Sequence, residues 1–296
     1  MELLTDPLTH AFFVRALAAA VLVGTVCAVV GTYVVLKGLA FIGEAVSHAA
    51  FPGLVAAFVF KVPFLLGAGV AAVGTALGIG LVIRRTRIRA DTAIGVIFVG
   101  MFALGLFWYS AIKGFVADLF SFLFGNILAI STGDLISLVA LGVVILAVVL
   151  VLWKELLYAT FDPLAAAASG LPVGLLEYLF LVLVALTIVV SLQAVGIILV
   201  VAMLVTPAAT AQLLTVRFTR LMLVAAAIGI GSAVVGLYIS YWLDVASGAT
   251  IVLVQTSLFV LAVVLGPHGL LAQRRRPMSR IADDELDDAG TAGSRA

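Results

Sequence analysis

The amino-acid sequence predicts an all-α, polytopic helical membrane protein. Hydrophobic residues make up 65% of the 296 residues and charged residues only 10%, and the mean hydropathy is +1.33. Several apolar stretches are about twenty residues long, which is the length that an α-helix needs to cross the hydrocarbon core of a bilayer. A soluble chain of this size does not have such a composition.

Hydropathy along the chain predicts about nine membrane-spanning helices. The segment before the first span has neither a basic region nor a small-residue cleavage site, so we expect no cleaved signal peptide. The predicted spans lie near residues 12–36, 39–60, 62–83, 91–110, 134–153, 173–190, 193–213, 221–242 and 249–266.

The basic residues predict the orientation of these spans. Lys and Arg are enriched in cytoplasmic loops, and their clusters in this sequence all follow odd-numbered spans. This pattern predicts an N-terminus outside the cell and a cytoplasmic C-terminus, with isolated Arg15 and Lys113 as exceptions. The clusters are Arg84, Arg85, Arg87 and Arg89; Lys154; Arg217 and Arg220; and Arg274, Arg275, Arg276 and Arg280.

Residues 111–133 depart from the pattern of a spanning helix. They combine glycines and polar residues with Phe115, Phe120, Phe122 and Phe124, which favours an outer-face hairpin or a short re-entrant helix. Irregular backbone at membrane depth is tolerated only against protein or a water-filled cavity. We therefore expect this segment to line the outer mouth of a pathway.

A second irregular segment joins the fifth and sixth spans. Asp162 followed by Pro163 is typical of an N-cap with proline at the first helical position, and Gly170 with a nearby proline is a stop signal. We predict a short cytoplasmic helix over Pro163–Ser169 with an almost all-alanine surface. Such a helix suits the groove of another protein, although a plain connector has the same composition.

The composition changes near the C-terminus and predicts two regions. Residues 1–272 form the transmembrane domain, and residues 273–296 form a disordered cytoplasmic tail. The tail begins with the arginine triplet at 274–276 and continues with acidic and small residues. Such a polar segment cannot bury enough apolar surface to fold, and its arginines suit the cytoplasmic membrane surface.

Several function classes are excluded by what the sequence lacks. There is no P-loop motif, so the chain is not itself an ATPase, and no H-E-x-x-H motif, so a membrane metalloprotease is unsupported. Cys27 is the only cysteine, which rules out a disulfide framework and a thiolate metal cluster. The basic clusters have no interleaved aromatic residues, and nucleic acid is not an expected partner.

Two ionisable residues stand in the apolar run at 38–53. Glu44 and His48 are four residues apart, so on a helix they share one face and can meet one cation. Ionisable residues inside a membrane are functional candidates by default. A carboxylate and an imidazole suit Mn, Fe or Zn, and a transport site is expected to be incomplete so that ions can leave.

Structural alternatives remain open for both residues. His48 could be a buried histidine bonded to a carbonyl group, and Glu44 could make an interhelical hydrogen bond. Asp91 could cap the fourth span beside Arg89 or belong to the pathway, to which Ser47 is a further candidate contributor.

A proton-coupled or facilitative secondary transporter would also use an intramembrane Glu and His, often with internal repeats. No convincing repeat is present.

Four segments of the chain now support a family resemblance. Together they resemble the permease subunits of ATP-binding-cassette (ABC) importers for zinc, manganese and iron, over roughly residues 10–270. One departure is Glu44, which stands where this family usually has Asp. The segments are Val34–Gly38 with Gly43–Gly53; Asp91–Phe98 with Phe102–Leu106; Phe161–Pro163 with Ala165–Gly170; and Val195–Leu199 with Leu204–Ala211.

The resemblance implies a fold, a cargo and partners. The fold is that of a type II importer permease in a prokaryotic plasma or inner membrane, assembled as a homodimer and surrounded by lipid. The cargo is a divalent Mn, Zn or Fe ion, with a slight preference for Mn, and no resident cofactor is expected. The implied protein partners are ATP-hydrolysing subunits and an extracytoplasmic metal-binding protein.

The resemblance also implies roles for particular residues. Glu44 and His48 would bind the metal, and Ser47, Asp91 and Asp118 are the candidate pathway residues, although Asp118 could instead meet the delivery protein at the outer face. The short helix would couple transport to the ATPase. Its candidate coupling residues are Asp162, Pro163, Ala166, Ala167 and Gly170.

Overall fold

The computed structural model describes residues 6–112, 125 and 127–267. Lys113, Asp118, His268 and the tail predicted over 273–296 lie outside the described residues. Most of the predicted outer-face segment at 111–133 lies outside them as well.

Within the described residues the chain forms eleven α-helices and no strand. Short 3-10 turns at Pro7–Thr9 and Ile127–Ala129 precede α1 and α5. The helices are α1 (Ala11–Leu36), α2 (Ile42–Phe60), α3 (Phe64–Arg85), α4 (Ala90–Ala111), α5 (Thr132–Val151), α6 (Trp153–Phe161), α7 (Pro163–Ala168), α8 (Val173–Val195), α9 (Ile197–Leu214), α10 (Phe218–Leu243) and α11 (Ser247–Leu265).

Nine of the described helices are long and apolar enough to cross a membrane, namely all except α6 and α7. The all-α membrane fold predicted from the sequence is therefore confirmed. The helix α6 was not predicted, because Lys154 and Glu155 interrupt the apolar pattern. Leu156 and Ala159 nevertheless bury one side of it.

The helices pack in two groups joined by α8. In the first group, α1 contacts α5, α9 and α10, and α11 packs on α9 and α10 at the edge. In the second group, α2 lies between α3 and α4. The helix α8 contacts α1, α2, α3 and α5, so it connects the two groups through the core.

Small residues allow α2 to lie very close to both of its neighbours. A Cβ atom on Gly53 of α2 would overlap the backbone of Gly67 of α3, and the reverse holds for a Cβ on Gly67. A Cβ on Gly105 of α4 would press on Phe51 and Pro52. Such close approach is how membrane helices gain van der Waals contact where water supplies no driving force. The position of α2 is therefore set by contacts that tolerate no added atom.

We predict opposite effects for the same substitution at two glycines of α3. Gly67→Ala should overpack the crossing with α2 and lower the free energy of unfolding by about 1–3 kcal/mol. Gly69→Ala meets open space, and its higher helix propensity should leave stability unchanged or raise it by up to about 1 kcal/mol. Thermal unfolding of the purified variants measures both. Equal melting temperatures for the two would contradict the observed crossing.

Candidate cation site and coupling helix

The first two turns of α2 carry the candidate cation-binding residues. The chain leaves α1 through a tight turn at Gly38, whose φ is +67°, and re-enters helical structure at Ile42. Glu44 lies in the first turn of α2, where the helix dipole favours a carboxylate. His48 lies four residues further along the chain, so the two side chains project from the same side of the helix.

The imidazole of His48 has an unsatisfied nitrogen. Its Nδ1 atom is buried and has no hydrogen-bond partner among the described residues. Two rings of α4 lie edge-on to it, with centroid distances of 5.0 Å to Phe98 and 5.2 Å to Phe102. A buried polar atom left unpaired costs about 1–3 kcal/mol. The alternative of an imidazole bonded to a carbonyl group is not observed at this nitrogen, which the described residues leave unpaired.

The carboxylate of Glu44 is exposed at the surface of the protomer. Among the described residues it forms no ion pair and no hydrogen bond, so the interhelical bond considered from the sequence is not observed. A carboxylate facing lipid on a helix of spanning length is costly. This side of α2 is therefore expected to border a polar pathway or another subunit.

The other pathway candidates occupy different environments. Ser47 is fully buried, and its Oγ has no partner among the described residues. It points into the bundle, whereas Glu44 points out of it. Asp91 is exposed in the first turn of α4, and the N-cap residue Arg89 makes no side-chain cap bond there. Asp118 lies outside the described residues.

The described residues do not by themselves supply a full set of metal ligands. No group of three or more His, Cys, Asp and Glu residues that could hold a metal ion occurs in the described part of the chain. Next to the site, α4 exposes an apolar surface that includes Val96 and Val99, which are 69% and 61% exposed. A cation held by Glu44 and His48 would therefore need further ligands from water, from residues outside the described part of the chain, or from another subunit.

The short helix α7 has the caps that the sequence predicted. At its start, Ala165 N–H donates to Asp162 Oδ1 over 2.9 Å, and Pro163 occupies the first helical position. At its end, Gly170 adopts φ +85° and donates its N–H to the Ala167 carbonyl over 3.0 Å. The helix ends at Ala168, one residue earlier than predicted.

The exposed surface of α7 differs from the almost all-alanine surface that we predicted. Ala166 is fully buried against the protein itself, whereas Leu164 is 84% exposed. Ala167 is exposed as predicted. The sequence did not identify Leu164, because a helix of six residues that is mostly alanine has no polar side from which its rotation could be inferred.

Two hydrogen bonds connect α7 to the core through α6. The hydroxyl groups of Tyr158 in α6 and Ser169 lie 3.2 Å apart. At the other end of α6, the Tyr33 hydroxyl of α1 donates to the Trp153 carbonyl over 3.4 Å. The Tyr33 ring also meets Phe218 of α10 edge-on, with centroids 5.2 Å apart. The exposed helix is therefore anchored to two spanning helices.

The fold and the site together define a polytopic membrane transport protein. One of its spanning helices carries polar residues along one side, and a short capped helix is displayed between two spans. Residues 9–266 match the family model described as ABC 3 transport family, and the chain belongs to this family. It is a membrane-spanning permease without catalytic activity, and ATP hydrolysis takes place on a separate subunit. The alternative of an ion-coupled secondary transporter is therefore not retained.

Several relatives cover nearly the whole chain. The manganese transport system membrane protein MntC of Halalkalibacterium halodurans is 45% identical over 267 residues, which are 90% of this chain and 91% of the relative. The chelated iron transport system membrane protein YfeD of Yersinia pestis is 40% identical, with 96% of each chain covered. Among solved structures, PsaBC from Streptococcus pneumoniae in complex with Fab superposes with a TM-score of 0.80 at 37% identity, covering 90% of this chain and 96% of that one.

Proposed function

We propose that this permease carries a divalent first-row transition-metal ion into the cytoplasm, with Mn²⁺ as the favoured cargo and Fe²⁺ or Zn²⁺ as alternatives. The observation that carries the proposal is the buried, unpaired Nδ1 of His48, four residues from an exposed carboxylate that lacks a partner among the described residues. Imidazole nitrogen with carboxylate oxygen suits these ions. The relatives named for manganese and iron transport support the same class of cargo.

A second copy of the chain would complete the site. In a homodimer with twofold symmetry the same surface of both subunits meets, so two copies of Glu44 and His48 would offer four ligands. The exposed apolar residues of α4 beside the site suit such a contact. Transport also requires that these ligands release the ion after binding it.

Two further partners belong to the proposal. An extracytoplasmic metal-binding protein would deliver the ion at the outer ends of the spans, and an ATP-hydrolysing subunit would bind α7. Leu164 and Ala167 form the accessible part of α7, and Asp162, Pro163 and Gly170 fix its two ends. Ala166 would contribute by packing α7 against the permease.

We predict that His48→Ala abolishes metal uptake. Loss of a direct ligand should weaken Mn²⁺ binding to the purified permease by about 100-fold or more, since even outer ligand-supporting residues contribute 10- to 100-fold. Equilibrium binding and cellular uptake measure the effect, with ATPase co-purification confirming assembly. His10→Ala, at an exposed histidine before α1, is the control and should transport normally.

Glu44→Asp keeps the carboxylate and should retain transport, whereas Glu44→Gln should lose it. Wild-type uptake by His48→Ala, with normal assembly, would remove the imidazole from the site and overturn the proposal.

We predict that the loop between α3 and α4 is cytoplasmic. A cysteine introduced at Thr86 in a Cys27→Ala background should resist an impermeant thiol reagent in intact cells and react after permeabilisation. A cysteine at Lys61, in the turn between α2 and α3, should react in intact cells because it lies at the opposite end of α3. Labelling at Thr86 in intact cells would reverse the proposed orientation.

We predict that Leu164→Arg and Ala167→Arg detach or uncouple the ATPase. Both side chains are exposed, so an arginine there would leave the permease folded while clashing with a partner that grips α7. Co-purification of the ATPase and transport-stimulated hydrolysis are the measurements. Val216→Arg, at a 78% exposed site between α9 and α10, is the control. If only the control loses its partner, the contact lies on that loop instead.

A further inference from the structure

A cavity of about 220 Å³ opens where α1 ends, α3 ends and α8 begins. These helix ends lie at the same side of the bundle as the arginine cluster after α3. The cavity belongs neither to the candidate metal site nor to α7. Its lining combines charged and aromatic side chains with an apolar wall that includes Leu39, Ile83 and Leu181.

Lys37 is the first basic group of the cavity, and the end of α1 fixes its position. Gly38 donates its N–H to the Val35 carbonyl and Leu39 donates to Val34, a pattern that closes the last helical turn around Lys37. The Nζ atom lies 5.6 Å from the centroid of the Phe180 ring. In the described part of the chain, no carboxylate lies within 4.0 Å of it. Burial lowers the pKa of the Lys37 ammonium group, and the charge of Glu177 acts in the opposite direction.

Arg84 is the second basic group, and its charge is only partly compensated. One guanidinium nitrogen lies 3.4 Å from Glu177 Oε2, and the two side chains are 43% and 34% exposed. An ion pair this exposed contributes little to stability. The guanidinium also lies over the Tyr178 ring, 5.4 Å from its centroid. It has five N–H donors, and Glu177 approaches from one side only.

The balance of these groups favours an anion with an apolar part. Lys37 and Arg84 face a single carboxylate, Glu177, so the charged side chains of the lining carry a net positive charge. The volume of the cavity is below the roughly 300 Å³ of pockets that hold drug-sized ligands. The cavity is therefore too small for a nucleotide but large enough for a phosphate with a short polar group. Basic pockets between membrane helices at the cytoplasmic side bind anionic lipid headgroups.

We propose that this cavity binds the phosphate headgroup of an acidic phospholipid, held between Lys37 and Arg84. The upper parts of the acyl chains would contact Leu39 and Ile83, the half-buried apolar residues of the lining. A bound lipid would join the end of α1 in the first packing group, the end of α3 in the second, and the start of α8, the helix that connects the two groups. The site is independent of the metal cargo proposed above.

The test compares lipids bound to the full-length permease purified with its ATPase. Native mass spectrometry should show retained phosphatidylglycerol in preference to phosphatidylcholine, and phosphatidylglycerol should raise the melting temperature more. Lys37→Gln and Arg84→Gln should each weaken this binding about fivefold, the effect of removing one basic residue near a membrane surface. Arg87→Gln removes the same charge outside the cavity and is the control.

Glu177→Gln gives a test in the opposite direction. Removing the carboxylate frees Arg84, so phosphatidylglycerol binding should increase by about the same factor. A purely structural ion pair would instead give a lower melting temperature with unchanged lipid binding, and that result would overturn the proposal. This variant also decides the matter if the basic variants fail to fold.

Other outcomes would assign the cavity differently. Equal retention of phosphatidylglycerol and phosphatidylcholine would exclude headgroup recognition. Stabilisation by inorganic phosphate that matches the effect of the lipid would identify a free anion as the ligand. Loss of the ATPase from Lys37→Gln and Arg84→Gln without loss of lipid would identify an acidic side chain of the partner. Each of these results would overturn the lipid proposal.

Discussion

The contact of α2 with α3 and α4 is the constraint on which the candidate site depends. Gly53 and Gly67 bring two backbones together, and Gly105 lets α4 lie flat against α2 at Pro52. This places Phe102, which lies one turn before Gly105 on α4, edge-on to the imidazole of His48. Because lipid offers no solvent for unpaired polar groups, this enclosed nitrogen, which lacks a partner among the described residues, is a candidate ligand for the proposed cation.

Much of this fold could be predicted from the sequence, because an apolar run of about twenty residues has few structures open to it in a bilayer. The start of α7 could also be predicted from the sequence, because Asp162 and Pro163 are typical of a helix N-terminus and do begin this helix. The helix α6 could not be found by hydropathy, since its burial depends on Leu156 and Ala159 meeting other helices. The rotation of α7, with Leu164 outward and Ala166 inward, likewise depends on tertiary packing.

The candidate site likewise has features that the sequence predicts and features that depend on tertiary packing. The residue types and the spacing of Glu44 and His48 were sufficient to predict a cation-binding pair. The sequence could not show that His48 Nδ1 lacks a partner among the described residues, since this depends on which groups other helices bring near. Phe98 and Phe102 lie one turn apart on α4, and their contact with the imidazole appears only when α4 is packed on α2.

Proline at position 52 gives α2 a local mechanical property. Proline has no N–H and cannot donate to the carbonyl group four residues earlier, which in this helix belongs to His48. The candidate ligand His48 is therefore also the residue whose carbonyl group lacks the usual helical hydrogen bond. This turn of α2 is held by one backbone hydrogen bond fewer than a regular turn. The backbone of α2 therefore resists bending less at this turn, beside the candidate cation-binding residues, than elsewhere along the helix.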